Sequence, residues 1–166
     1  VIKPVNEGSS VNVYICNLEN IFKNLNKLKD YSEILIEKYI PGKEIQVAIL
    51  SGKILGAIEL KPKRKFYDYE AKYNPKAKTE HIIPVKLSKK NYKKVCQIAL
   101  KAHKLLYCRG VTRSDFRFHK NKFYLLETNT QPGMTSLSLV PEIAKFNNIT
   151  FKNLIEKILQ DASIKK

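Results

Sequence analysis

The chain has 166 residues, enough for one ordinary domain or two small lobes, and its 31 Lys+Arg against 15 Asp+Glu give a formal charge of +16. No apolar run approaches the roughly 18 residues of a membrane span, and no signal peptide is visible. Three cysteines, Cys16, Cys96 and Cys108, are an odd number without metal-ligand spacing and fit reduced thiols in a cytoplasmic protein.

Such a basic chain makes nucleic acid the first partner to consider. Its lysines, however, are spread along the sequence and mixed with Asn, Ile and Tyr, and no focused basic groove emerges. The same charge draws any anion, ATP included. No nucleic-acid or membrane partner is expected.

The chain starts with Val inside an apolar phrase, Val1-Ile-Lys-Pro4, and is expected to be a piece of a longer or processed protein. That phrase reads as the end of a strand. Val5–Ser10 reads as a polar loop and Val11–Cys16 as a second strand. Gly8-Ser9-Ser10 offers free backbone N–H groups and hydroxyls of the kind that cradle phosphate, with Lys3 as a nearby point charge. Apolar residues at 18, 21, 22, 25 and 28 predict a helix over Leu18–Lys29. Strands are predicted at Ile34–Ile40, Glu44–Leu50 and Ile54–Leu60, turning at Pro41-Gly42 and Ser51-Gly-Lys53. Beside the helix they would form one small α+β lobe, residues 1–60.

Residues 61–80 have no clean period; they are basic, aromatic and broken by two prolines. A long irregular segment of this kind is often a lid or binding loop. Basic residues interleaved with aromatics also describe a platform for single-stranded nucleic acid, so the loop by itself leaves both uses open.

From 81 to 166 a larger lobe is expected. Ser88 is a good N-cap for a helix over Lys89–Tyr107, where His103 lies on the apolar stripe and reads as a packed histidine. His81 and His119 fall in loops with no nameable partner. Two strand-like runs follow, Gly110–Phe118 and from Phe123 onward, joined by a short hairpin loop at His119–Phe123. Pairing 119 with 123 sets Asp115 opposite Glu127 and Arg113 opposite Asn129. Side chains two apart on a strand share a face, so two carboxylates, an amide oxygen and a guanidinium would converge. Hard oxygens of this kind suit one or two Mg²⁺ ions on a nucleotide phosphate chain, with an arginine to stabilise a transferring phosphoryl group. The plainer alternative is a strand that ends in solvated charges. Beyond Pro132-Gly133 come a polar elbow at 134–138, a short helix at Val140–Phe146, and a last helix capped by Thr150.

Several phrases then resemble the D-alanine–D-alanine ligase family, in that family's order: Lys3-Pro4…Glu7-Gly-Ser-Ser10, Glu37-Lys-Tyr39, Phe66-Tyr-Asp-Tyr-Glu-Ala-Lys-Tyr73, Arg113-x-Asp115 and Glu127-Thr-Asn-Thr-Gln-Pro-Gly-Met-Thr-Ser136. The resemblance covers essentially the whole stretch, and its specificity lies in the 66–73 and 127–136 phrases taken together. It implies an α+β, ATP-grasp fold of two lobes with mainly antiparallel sheets, the nucleotide site between them and residues 61–80 as lid. It implies ATP-dependent ligation of two D-alanines through an acyl phosphate, for peptidoglycan precursors, in the cytoplasm.

Residue by residue, the resemblance implies that Lys3, Ser10 and Lys72 meet ATP phosphates. Glu37, Lys38 and Ile40 frame the adenine and Glu44 takes the ribose. Asp115, Glu127 and Asn129 bind two Mg²⁺ (or Mn²⁺) ions. Arg113 and the Gly133 N–H stabilise the oxyanion. Ser138 and Leu139 hold the second D-alanine's carboxylate. Glu7, Ser9 and Tyr73 tie the lid, and Tyr73 favours a dipeptide product over a depsipeptide. A homodimer of the full-length protein is suggested in the same way. Asn6, Thr112 and Leu137 depart from the usual pattern, and the family's N-terminal domain is not in this stretch, so the stretch alone is expected to bind nucleotide weakly without turnover. Another ATP-grasp carboxylate–amine ligase, and a basic nucleic-acid-binding module, are the competing readings.

Overall fold

The structure, a computed structural model, describes residues 1–62 and 79–162. They fall into two compact units, Val1–Ile40 and a larger one made of Pro41–Lys61 with residues 80–162. The larger unit therefore begins at residue 41, whereas the sequence reading put the lobe edge at 60.

In the smaller unit, β1 (Ile2–Pro4) pairs antiparallel with β2 (Ile34–Ile36), Ile2 across from Ile36 and Lys3 across from Leu35. β2 ends at Ile36, short of the expected Ile40, and Val1 and Glu37 add a further pair of bonds, Glu37 N–H to Val1 O at 2.9 Å and the Val1 amine to Glu37 O at 2.7 Å. The strand expected at 11–16 is reduced to a single bridge between Tyr14 and Ile2. Ser9, Ser10 and Asn12 all have positive φ (53°, 61° and 55°), a left-handed conformation incompatible with an extended run.

The first helix is also shorter than expected, α1 spanning only Ile21–Asn26. Asn17 Oδ1 accepts from the N–H groups of Glu19 and Asn20, both at 3.1 Å, and this side-chain turn holds the chain out of the helix until residue 21. Past the helix, tight turns close Lys27 on Asn24 and Leu28 on Leu25. Of the apolar stripe, Leu28 is buried while Leu18 and Phe22 face solvent.

The larger unit is built on a fully antiparallel five-stranded sheet in the order β5-β4-β3-β6-β7: β3 Lys43–Leu50, β4 Lys53–Lys61, β5 Glu80–Ile82, β6 Val111–His119 and β7 Lys122–Asn129. The strands at 34, 44 and 54 thus do not form one lobe. β2 joins β1, whereas β3 and β4 join the sheet of the second half, because β3 has the length and apolar content to pair on both edges. Two-residue turns at Ser51-Gly52 and Lys120-Asn121 have positive φ throughout, the geometry that matches strand twist. Gly42 opens β3 at φ 108°, where a Cβ would come within 2.2 Å of the Phe118 carbonyl oxygen, so only glycine fits.

Helix α2 (Lys89–Leu105) starts at Ser88, whose Oγ accepts from the Asn91 N–H at 3.3 Å, and ends two residues before the expected Tyr107, which has φ 52°. It lays Val95, Cys96 and Ala99 on Ile45, Val47, Ile49, Ala57 and Phe116, forming the core of one sheet face. His103 on the same helix is buried and bonded to Thr112 Oγ1 at 2.9 Å, a packed histidine as expected. His81 lies in β5, its Nδ1 2.6 Å from Glu142 Oε2, and so has a partner the sequence did not suggest. α3 (Leu139–Phe146) packs on β4, with Ile143 filling the space over Gly56, and α4 (Phe151–Asp161) begins at Thr150, whose Oγ1 accepts from Asn153 N–H at 3.2 Å. Among the described residues no helix is long and apolar enough to cross a membrane.

Candidate active site

Side chains alternate across a strand, so the residues of β3 and β6 that do not face α2 line the opposite face of the sheet. On β3 these are Glu44, Gln46 and Ala48; on β6, their partners Arg117, Asp115 and Arg113. β7 adds Glu127 opposite Asp115 and Asn129 opposite Arg113. The two cross-strand pairs expected from sequence are present, although the hairpin reaches them by another route. The turn is one residue tighter than expected, with His119 across from Lys122. A bulge between Asp115 and Phe116 then skips Leu126 and restores the register.

The cluster is tightly paired. The Arg113 guanidinium grips Asp115 with two bonds, Nε to Oδ1 at 2.8 Å and Nη2 to Oδ2 at 3.0 Å. Arg117 Nη1 lies 3.1 Å from Glu44 Oε2. Asp115, Glu44 and Gln46 are buried and Glu127 is exposed at the open end. Asn129 Oδ1 accepts from the Gln131 N–H at 2.9 Å, which aims the amide and leaves a lone pair on its oxygen. Among the described residues no group of three or more His, Cys, Asp or Glu side chains is placed to hold a metal. The oxygen set here is two carboxylates and an amide, with no nitrogen or sulfur donor, and it fits a hard cation that keeps water and phosphate ligands. Arg117 and Gln46 were missed in the sequence. The signal that could have found them is the same two-residue period, 113-115-117 on one strand and 44-46 on its neighbour.

Beyond β7 the loop turns back on itself. Ser138 Oγ accepts from the Thr135 N–H at 3.0 Å and lies 2.9 Å from Thr135 Oγ1. A Cβ on Gly133 would come within 2.9 Å of the same Ser138 Oγ, so the absence of a side chain at 133 is what lets the two residues meet. Leu139 follows as the first residue of α3.

The remaining expected residues lie in the smaller unit. Lys3 Nζ is 2.9 Å from Glu37 Oε1 across the β1–β2 ribbon, so two residues expected at different parts of a nucleotide are paired with each other. Lys38 and Ile40 follow in the segment after β2. Ser9 and Ser10 occupy the left-handed turn described above. Glu7 accepts from the Tyr31 hydroxyl at 3.0 Å, and Tyr31 in turn accepts from Asn12 Nδ2 at 2.7 Å, a network the sequence did not suggest. Lys72 and Tyr73 lie outside the described residues.

Comparison with known proteins identifies the family and the fold. A family model described as D-ala D-ala ligase C-terminus matches residues 1–160. A D-alanine–D-alanine ligase of Pelagibacter ubique is 68% identical over 166 residues, and one of Geotalea uraniireducens 47% identical over 168; the chain is covered by 100% and 99% but accounts for only 55% and 54% of those relatives. The chain thus spans about half the length of the curated relatives it matches. Among solved structures, D-alanine–D-alanine ligase from Bacillus anthracis superposes with a TM-score of 0.82 at 33% identity, covering 96% of this chain and 53% of that one. The VanG D-Ala:D-Ser ligase of Enterococcus faecalis does so with 0.81 at 25%, covering 96% and 48%. The α+β architecture with antiparallel sheets is accordingly the ATP-grasp fold of these ligases. From the first strand to the last helix, the chain belongs to the D-alanine–D-alanine ligase C-terminal family.

Proposed function

We propose that this chain is the ATP- and metal-binding part of a D-alanine–D-alanine ligase, joining two D-alanines through an acyl phosphate for peptidoglycan precursors in the cytoplasm. The observation that carries the reading is the β6–β7 register, which sets Asp115 across from Glu127 and Arg113 across from Asn129 at the open end of one sheet face. A solved relative from Bacillus anthracis is described as complexed with ATP, at a TM-score of 0.79 and 27% identity.

In this reading Asp115, Glu127 and Asn129 hold two Mg²⁺ (or Mn²⁺) ions, which when bound neutralise the ATP phosphates so that a carboxylate can approach. The two bonds from Arg113 fix Asp115 in one rotamer, so the carboxylate is oriented before any cation arrives. Arg113 also presents positive charge to the oxyanion that forms when the second D-alanine's amine attacks the acyl phosphate, and the Gly133 N–H donates to the same oxygen. Ser138 and Leu139 hold the second D-alanine by its carboxylate. Lys3, Ser10 and Lys72 meet the phosphates, Glu37, Lys38 and Ile40 frame the adenine, and Glu44, steadied by Arg117, takes the ribose hydroxyls. Glu7, Ser9 and Tyr73 tie residues 61–80 as a lid, because water would hydrolyse the acyl phosphate. The full-length protein works as a homodimer.

The test is phosphate release by the full-length protein with ATP, Mg²⁺ and a panel of D-amino acids. Turnover should need D-alanine at both positions, and Glu127→Gln should lower kcat by about a thousandfold or more while leaving the fold intact. Turnover by Glu127→Gln within a few-fold of wild type would remove the metal role from this cluster. A preference for D-serine as acceptor would move the protein toward D-Ala:D-Ser ligation.

A further inference from the structure

One polar atom on this face is unaccounted for. Gln46 is 1% exposed, and its side-chain oxygen Oε1, buried from solvent, has no hydrogen-bond partner among the described residues. Its position makes that conspicuous. Gln46 stands directly across from Asp115 on β6 and from the fully buried Ile58 on β4, and it shares its face with Glu44 two residues away. The charged groups around it are engaged: Asp115 is held by Arg113, and Glu44 by Arg117. A buried acceptor without a donor weakens the fold, whereas a nonpolar side chain of the same length would not. An amide carbonyl kept at such a place calls for a donor beyond the described residues.

We infer that Gln46 is a nucleotide-contacting residue whose side-chain carbonyl accepts an O–H carried in by the Mg²⁺–nucleotide. The inference rests on the reading above, in which Glu44 takes the ribose and Asp115 a cation. Gln46 stands between those two residues, so the donor is either a ribose hydroxyl or a water on the cation. Both are O–H groups aimed at a carbonyl, and both arrive only with the ligand. Gln46 thereby trades stability of the empty protein for affinity in the filled one.

The experiment uses the full-length protein and the variants Gln46→Met and Gln46→Leu. Two quantities are measured: the Tm without ligand, and the Kd for ADP with Mg²⁺ by titration calorimetry, with inorganic tripolyphosphate plus Mg²⁺ as a ribose-free probe. At least one variant should match or exceed the wild-type Tm without ligand, since an unpartnered acceptor has been removed. Its ADP affinity should fall by roughly tenfold, the effect of one lost hydrogen bond. If the donor is a ribose hydroxyl, tripolyphosphate affinity stays unchanged; if it is a cation-bound water, both affinities fall together. Unchanged ADP affinity in both variants overturns the inference, and so does a drop of many degrees in Tm for both, because the amide would then be satisfied within the fold. Wild-type protein that binds no ADP in Mg²⁺ would remove the nucleotide reading itself and this inference with it. ADP binding in wild type with no change in either variant removes the role of Gln46 alone.

Discussion

The two faces of the five-stranded sheet come from the same strands and meet opposite demands. On β3, Ile45, Val47 and Ile49 face α2, while Glu44, Gln46 and Ala48 face away from it. The first face holds by exclusion of water and needs only shape. The second gathers carboxylates, an amide and two guanidiniums, groups whose burial is unfavourable unless each finds a counterpart. Arg113 holds Asp115 two residues along β6, and Arg117 holds Glu44 across from it on β3. The apolar face therefore supplies the rigidity and the polar face the chemistry, and the period of two keeps them apart.

That division predicts which measurement each substitution moves. Phe116 is fully buried, edge-on to Phe123 with ring centroids 6.3 Å apart, and belongs to the α2-facing core. Phe116→Ala should lower the unfolding free energy by about 3–5 kcal/mol, read from urea denaturation. Glu127→Gln, at an exposed carboxylate on the other face, should stay within about 0.5 kcal/mol of wild type in the same assay. Comparable losses of stability from both substitutions would break the separation of roles.

A smaller effect is expected at the loop that closes the polar face. Gly133→Ala places a Cβ 2.9 Å from Ser138 Oγ, so the loop must shift or Ser138 must release Thr135. Because this region is at the surface, Tm should change by only a few degrees. The kcat/KM for D-alanine in the full-length protein should fall roughly ten- to a hundredfold through displaced groups. A large Tm loss with unchanged kinetics would make Gly133 a folding residue only.

The sequence disclosed these regions unequally, and the reasons are local. β3, β4, β6 and β7 were legible because alternation over eight or nine residues outweighs any single residue. The pairing of Asp115 with Glu127 was right although the turn was read one residue too long. The tighter Lys120-Asn121 turn and the bulge at Leu126 shift the register by equal and opposite amounts. In residues 1–40 the decisive features were single side chains. Asn17 delays the helix and Asn12 leaves the extended region, and neither effect appears in a periodicity. The pairing of β2 with β1 is a long-range choice that no local pattern encodes. Arg117 and Gln46 went unseen because their partners, Glu44 and Asp115, face them across β3 and β6, a pairing that no hairpin turn announces in the sequence.

The smallest expected effect belongs to the apolar face, where His103 is buried. His103 sits on the buried side of α2 with Nδ1 2.9 Å from Thr112 Oγ1. Burial holds its pKa below the usual histidine value, with Asp161 pulling upward and Lys104 adding to the downward shift. The unfolded chain therefore takes up this proton before the folded one does. Stability from His103 is complete above the unfolded value of about 6.5 and is lost as the pH falls through the lower folded value. Between pH 7 and pH 5 the Tm of wild type should decline more steeply than that of His103→Gln, even though the variant starts lower after losing packing and the threonine contact. The difference in slope is the readout, because the carboxylates are common to both proteins and cancel. Parallel slopes would mean that His103 is protonated equally in the folded and unfolded chains, and that the face under α2 is wetter than its apolar lining implies.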